Sequence, residues 1–531
     1  MADWINPAPY PIIYVRGYAM TRGEIDATTA DPFCGFNIGS TVFRATADRS
    51  RPPRKFMFES PVLRLAKDYG YQDVFMDGAD LTELPSAELG IPQRSIVVHR
   101  YYDPASTLLG NGETHGIEDF ASALSQLIAR VRDLTGVGAD KIPADRFRCY
   151  LVAHSMGGLV CRAFLQNADC DPHGVRATVD KLFTYATPHN GIDMAGINVP
   201  SWLTANDISN FNREAMARYL AIDADLYQRT KRVDWMPERA LPSRRVFCLV
   251  GSNRNDYEPA MGLSRSFAGH GSDGLVRIEN AVVGSADGDA TGQPTAKAFV
   301  YRAHSGYFGI VNSEEAFQNL TRFLFGDLRV DVWLDIEDVT LPATIVREAN
   351  GKSIDALYQI ELLAAPRGKP WYLTRRVAEE DSVACLRHHD WVADPRTGRL
   401  HLSTVFLSGR FRTDPTQPAL SYIVTVGVRV PDYEVEGALW MKHHYEGSYL
   451  FHGSILVAVT PPAGDAGWNA RYDWQTDSVH EPSTPIAGEP QEDGTLVLRI
   501  PLPPRAQNVT PSVSGHVRFV VSTWNDRTAA G

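Results

Sequence analysis

Hydrophobic positions change their spacing along this chain of 531 residues. Up to about residue 328, short apolar runs alternate with stretches in which apolar residues recur every third or fourth position, the helical period. The runs at 12–15, 73–76, 95–101, 147–153, 181–185, 244–250 and 297–302 are expected strands, and 60–69, 117–134, 157–166 and 313–325 are expected helices. Asn312, with Glu315 three positions on, marks the start of the last helix. Strands and helices in alternation imply an α/β architecture built on a mostly parallel sheet.

Two stretches interrupt this rhythm. A polar insert at 21–53 is rich in Thr, Asp, Arg and Pro. The region 192–241 is too long for an ordinary connection. Within it Ala215, Tyr219, Ile222 and Leu226 fall at helical spacing, flanked by Trp202, Phe211, Trp235 and Met236. An amphipathic helix here predicts a cap over a cleft, lined by groups suited to acyl chains, with the polar insert as a second part of the rim. The plainer alternative is a helix packed on the core. Beyond Phe325-Gly326-Asp327 the period shortens. Seven strands are expected at 330–336, 356–363, 400–407, 422–430, 449–460, 494–502 and 516–524, separated by Pro, Gly and Asp clusters, which implies an antiparallel β-sandwich. The expected domains are therefore 1–328, with its insertion at 192–241, and 329–531.

The segment Ala153-His154-Ser155-Met156-Gly157-Gly158 lies where an expected strand turns into an expected helix. A sharp reversal there strains the backbone of Ser155 and exposes its hydroxyl at the carboxyl edge of the sheet, while small neighbours let strand and helix approach. In these residues the sequence resembles the α/β-hydrolase family, and A-H-S-M-G-G is similar to its lipases and esterases. Ala153 stands where the common G-x-S-x-G pattern has glycine.

The resemblance implies an acid and then a histidine, each in a loop after a later strand. His304 follows the strand at 297–302 and is the expected general base. Asp273, in Gly271-Ser272-Asp273-Gly274-Leu275-Val276, is the expected acid, with Asp256 in reserve. Singly, His304 reads equally well as a solvated loop histidine and Asp273 as a turn residue; their order after two strands favours chemistry. The implied oxyanion hole consists of the Met156 N–H and, in Arg16-Gly17-Tyr18, the Tyr18 N–H. Ala186-Thr187-Pro188-His189-Asn190-Gly191 resembles the T-P-H-x-G turn of many of these lipases, and His189, too early to be the base, is expected to be structural.

Composition narrows the function classes. A 44% hydrophobic content supports large cores. The net charge of −11 and the lack of a Lys/Arg-rich block argue against a nucleic-acid partner. No apolar stretch of about 18 residues could span a bilayer, and Met-Ala-Asp-Trp-Ile-Asn-Pro is no standard secretion signal, so a cytoplasmic location or export without a cleaved signal is expected. Cys34, Cys149, Cys161, Cys170, Cys248 and Cys385 have no metal-ligand spacing and read as free thiols rather than disulfides. No cofactor or metal is expected; Glu379, Glu380 and Asp381 fit a solvated face better than a calcium loop. Asn508-Val509-Thr510 matters only in a glycosylating compartment. The expected function is a serine hydrolase of hydrophobic or lipid acyl esters. The alternatives are a phospholipase acting on membranes, even as a toxin, with the sandwich docking to lipid or protein, and a non-catalytic binding or scaffold protein.

Overall fold

The computed structural model describes residues 9–17, 40–44, 54–58, 61–74, 90–101, 116–137, 141–194, 197–198, 210–256, 270–286, 294–305, 309–412, 414–435, 443–463, 466–474, 482–503 and 510–525. The described chain divides into two compact units, one formed by Ala8–Lys297 with Tyr301–Leu320 and the other containing Ala298–Val300 and Thr321–Gly531.

A seven-stranded sheet organises the first. Its strands are β1 (Ile12–Val15), β2 (Gln72–Asp73), β3 (Ser95–His99), β4 (Cys149–His154), β5 (Val179–Tyr185), β6 (Val246–Gly251) and β7 (Ala296–Val300), in the order β7-β6-β5-β4-β1-β3-β2. The pairings from β2 through β6 are parallel. The flanking helices include α1 (Pro61–Tyr69), α2 (Ile117–Thr135) and α3 (Met156–Gln166). Two of them bring an apolar stripe to the sheet: Leu124, Ile128 and Val131 of α2 and Leu159 and Val160 of α3 share one core with Ile13, Val15, Leu151 and Ala153. Burying a side chain of Leu or Ile size in this way contributes about 1.5–3 kcal/mol. No helix among the described residues is long and apolar enough to cross a membrane.

Local chemistry shifts several expected boundaries. The single helix expected around 215–226 is two short ones, α4 (Arg213–Tyr219) and α5 (Ala224–Thr230). Ala221 has φ 49° and the Asp223 carboxylate accepts from the Leu226 N–H, so a cap takes the place of a continuous helical turn. The apolar residues of this insertion are largely committed to the core: Phe211, Met216, Tyr219 and Leu220 are buried with α2 and α3. Trp202 lies outside the described residues. Of the polar insert, only Ser40–Arg44 falls within them, pairing antiparallel with Arg54–Phe58. The last helix, α6 (Glu314–Phe325), is capped by Ser313, whose Oγ accepts from the Ala316 N–H at 3.2 Å, and not by Asn312. Ser313 to Ala316 is the separation at which a hydroxyl meets an otherwise unsatisfied amide of the first turn.

The second unit is antiparallel. Strands β8 (Leu328–Thr340), β9 (Ile354–Pro366), β10 (Arg399–Leu407), β11 (Leu420–Arg429), β12 (Tyr449–Thr460), β13 (Leu496–Pro501) and β14 (Ser512–Thr523) correspond to the seven expected ones, mostly longer by a few residues. One sheet runs β10-β8-β14-β13 with Glu489–Pro490 at its edge, and the other is built around β9-β11-β12. Inward residues such as Val332, Leu334, Tyr358, Ile360, Val424 and Phe519 form a single core between them. In the acidic cluster Glu379 and Asp381 are exposed, as on a solvated face, whereas the Glu380 side chain is mostly buried and accepts from Arg375 Nε at 2.6 Å. Cys149, Cys161, Cys170 and Cys248 are buried free thiols and Cys385 is an exposed one, while Cys34, Asn508 and Val509 lie outside the described residues.

One buried cation ties the insertion to the sheet. Arg162 of α3 is fully buried and donates to Gln166 Oε1 at 2.8 Å and to the carbonyls of His189, Val233 and Trp235 at 2.8–2.9 Å. Burial lowers its pKa to about 10. Replacement by Met would leave three carbonyls in the interior without this donor. Arg162→Met should therefore lower the unfolding free energy by at least about 3 kcal/mol in denaturant titration. A loss below about 0.5 kcal/mol, typical of an ordinary surface site, would contradict the clamp.

Candidate active site

The carboxyl ends of the parallel strands gather the polar groups of the first unit. Ser155 is the single residue between β4 and α3, with φ 52° and ψ −127°, a conformation L residues rarely adopt. Its N–H donates to the Tyr185 carbonyl at 2.9 Å and its carbonyl accepts from the Gly158 N–H at 3.1 Å, which pins the turn on both sides. Small residues permit it. A Cβ on Gly157 would collide with the carbonyl oxygens of Val15 and Arg16, and a Cβ on Gly17 would come within 2.7 Å of Ser155 Cβ.

Asp273 and His304 come from the loops after β6 and β7. His304 Nε2 is 2.9 Å from Ser155 Oγ, and His304 Nδ1 is 2.9 Å from Asp273 Oδ2. The carboxylate settles the tautomer: Nδ1–H donates to Asp273, leaving Nε2 to accept from the Ser155 hydroxyl. Asp273 Oδ1 accepts from the N–H groups of Leu275 at 3.0 Å and Val276 at 2.8 Å, so its second oxygen is aimed at the imidazole. The two loops are also joined through their backbones, His304 N–H donating to the Asp273 carbonyl at 3.0 Å. Gly251 at the end of β6 makes room for them, since a Cβ there would meet Arg302 O at 2.7 Å and Asp273 Cβ at 2.8 Å. Arg302, two residues before His304, is anchored by Glu315 of α6 at 2.9 Å. All three side chains are buried, Ser155 to 6% exposure and His304 to 4%, so the pair sits in a largely water-excluded setting.

Of the other expected site residues, Met156 opens α3, where the first N–H groups of a helix have no intrahelical acceptor and form the positive end of its dipole. Tyr18 lies outside the described residues. Asp256 Oδ2 accepts from Asn253 Nδ2 at 2.7 Å. His189 is fully buried beneath β5 and β6, with Nε2 3.2 Å from Thr184 Oγ1 and 3.6 Å from Cys248 Sγ, and burial holds its pKa well below the usual histidine range. The turn it belongs to is a structural hub: Asn190 Nδ2 donates to Asn280 Oδ1, Asn280 Nδ2 to Asp193 Oδ2, and Arg213 to both oxygens of Asp193.

Two features were not assigned from the sequence. His154 Nε2–H donates to the carbonyl of His304 at 2.9 Å, and the two rings stand 5.0 Å apart. Burial and the neighbouring His304 lower the His154 pKa to about 3, so it is neutral across the physiological range. Gly17 was legible only as part of Arg16-Gly17-Tyr18, and its closeness to Ser155 needs the tertiary fold. Among the described residues no group of His, Cys, Asp and Glu is arranged to hold a metal ion.

No family model matches the chain, and no curated protein does. Among solved structures, the product of gene lin2722 from Listeria innocua is similar at 10% identity over 59% of this chain and 93% of that one, with a TM-score of 0.25. Phospholipase PlaB from Legionella pneumophila is similar at 14% identity over 83% of this chain and 90% of its own, with a TM-score of 0.28. The same phospholipase in complex with thio-NAD gives 13%, 87%, 91% and 0.30. At such TM-scores these likenesses say nothing of this chain's chemistry.

Proposed function

We propose that the chain is a serine hydrolase that cleaves carboxylic esters of hydrophobic acyl groups through an acyl-enzyme, with Ser155 as nucleophile, His304 as base and then acid, and Asp273 orienting the imidazole. The observation that carries this reading is the unbroken line of hydrogen bonds from Ser155 Oγ through both nitrogens of His304 to Asp273, each 2.9 Å long. A serine hydroxyl is a weak nucleophile near neutrality. As Oγ bonds to the ester carbonyl carbon, its proton passes to His304 Nε2, and the Asp273 carboxylate stabilises the imidazolium. Charge on the carbonyl oxygen is met by the Met156 N–H and, in this reading, by that of Tyr18. His304 then returns the proton to the departing alkoxide, the ester C–O bond breaks, and water attacks the acyl-serine by the same relay.

His154 serves this cycle as a positioning residue. Its bond to the His304 carbonyl holds the base loop, and its depressed pKa keeps a second positive charge away from the imidazolium 5.0 Å off. The cost appears on unfolding. An unfolded histidine takes up a proton below about pH 6.5, whereas folded His154 waits until about 3. Its contribution to stability is therefore whole above pH 6.5 and declines as pH falls toward 3.

Two measurements follow. The full chain should hydrolyse short p-nitrophenyl esters, with kcat reduced on the order of 10⁴-fold or more in Ser155→Ala and Asp273→Asn and left near wild type in Asp256→Asn. Equal rates in wild type and Ser155→Ala would remove the assignment, and a series from acetate to palmitate reads the acyl preference separately. In denaturant titrations between pH 7 and 4.5, the wild type should lose more stability than His154→Gln, whose amide keeps a donor but does not titrate; parallel curves would exclude a role for the buried neutral imidazole.

A further inference from the structure

A phenol in the first unit ties down the backbone against which Ser155 leans. Strands β1 and β3 run parallel, with Val15 beside His99 at their ends. Arg16 follows β1 directly, and Tyr101 stands just beyond β3. The Tyr101 hydroxyl donates to the Arg16 carbonyl at 2.5 Å, so it joins the two chains past the last residues that the strands pair. Its ring is buried in the core beside α2, 4.6 Å from the Phe120 ring and 5.2 Å from that of His99. The donor is thereby aimed from a fixed base.

The backbone it holds borders the nucleophile turn closely. A Cβ on Gly157 would come within 2.5 Å of the Arg16 carbonyl oxygen, the same oxygen that accepts from Tyr101. A Cβ on Gly17 would stand 2.7 Å from Ser155 Cβ and 3.0 Å from His154 Nδ1. In a close-packed interior such contacts transmit any shift of Arg16-Gly17 to the residue between β4 and α3.

We infer that Tyr101 is a positioning residue for the proposed hydrolysis: through the Arg16 carbonyl and Gly17, its hydroxyl fixes the wall that lines the Ser155 side chain up with His304. This rests on the reading of Ser155 as nucleophile. Tyr101→Phe keeps the ring in the core and removes one hydrogen bond, a change that a domain of ordinary stability survives. With p-nitrophenyl acetate its kcat per folded chain should fall about tenfold while KM stays within about twofold, because alignment of the hydroxyl enters the chemical step and not the binding of the ester. Ile128→Val, a small cavity in the same core, should lower the melting temperature without changing kcat. Tyr101→3-fluorotyrosine, which keeps the donor, should retain the wild-type rate. A kcat within about twofold of wild type in Tyr101→Phe, an equal fall in Ile128→Val, or an equal fall with 3-fluorotyrosine overturns the role of Tyr101 and leaves the reading of Ser155 untouched. Absence of ester hydrolysis in the wild type, or its persistence in Ser155→Ala, removes that reading and this inference with it.

Discussion

Ser155 occupies a backbone conformation that costs of order 1–3 kcal/mol for a residue with a side chain, and it persists only because its surroundings over-determine it. On one side β4 is paired with β1 and β5, fixing the end of the strand. On the other, α3 is drawn down onto the β1 carbonyls through the bare backbone of Gly157. With strand and helix both immobilised, the residue between them has no relaxed alternative. The strain delivers a hydroxyl to the sheet edge with little freedom, the restriction that the proposed nucleophile requires, since misplacement by about an ångström is costly in a chemical step.

The same economy of space operates around the imidazole. Gly251 admits two loops at once, and a backbone bond between Asp273 and His304 locks them before their side chains meet. Arg302 with Glu315, and His154 with the His304 carbonyl, brace the loop that carries His304. Farther out, Arg162 and the network of Asn190, Asp193, Asn280 and Arg213 fasten the insertion to the sheet through buried polar bonds. Such networks specify one arrangement because each member left without its partner would be penalised in the interior.

Much of this was legible in the sequence, for identifiable reasons. Strand β4 and helix α3 announce themselves by a sharp change of period around Ser155, and the alternating strands of the second unit follow from their turn clusters. The helical insertion was less legible because Tyr219, Ile222 and Leu226 keep a helical rhythm across a real break at Ala221 and Asp223. Periodicity cannot distinguish one helix from two in register. Likewise Asn312 and Ser313 are both good caps, and only the bond to Ala316 separates them. Asp273 and Asp256 read alike in the sequence, and only the fold separates them by partner: Asp273 Oδ2 lies 2.9 Å from His304 Nδ1, whereas Asp256 Oδ2 accepts from Asn253 Nδ2. What sequence could not convey at all was distance across the fold: that His154 would reach the carbonyl of a residue 150 positions on, or that Gly17 would face Ser155 Cβ.

The central claim is that one hydroxyl among the many on this chain is made nucleophilic by its place beside His304. Diethyl p-nitrophenyl phosphate tests it directly, because it phosphorylates an activated serine and releases one p-nitrophenolate. The account predicts a burst of one equivalent per chain and a diethylphosphoryl adduct mapped by peptide mass spectrometry to Ser155, slowed severely in His304→Ala. Modification spread over several hydroxyls, or a Ser155 adduct formed equally fast without His304, would contradict it.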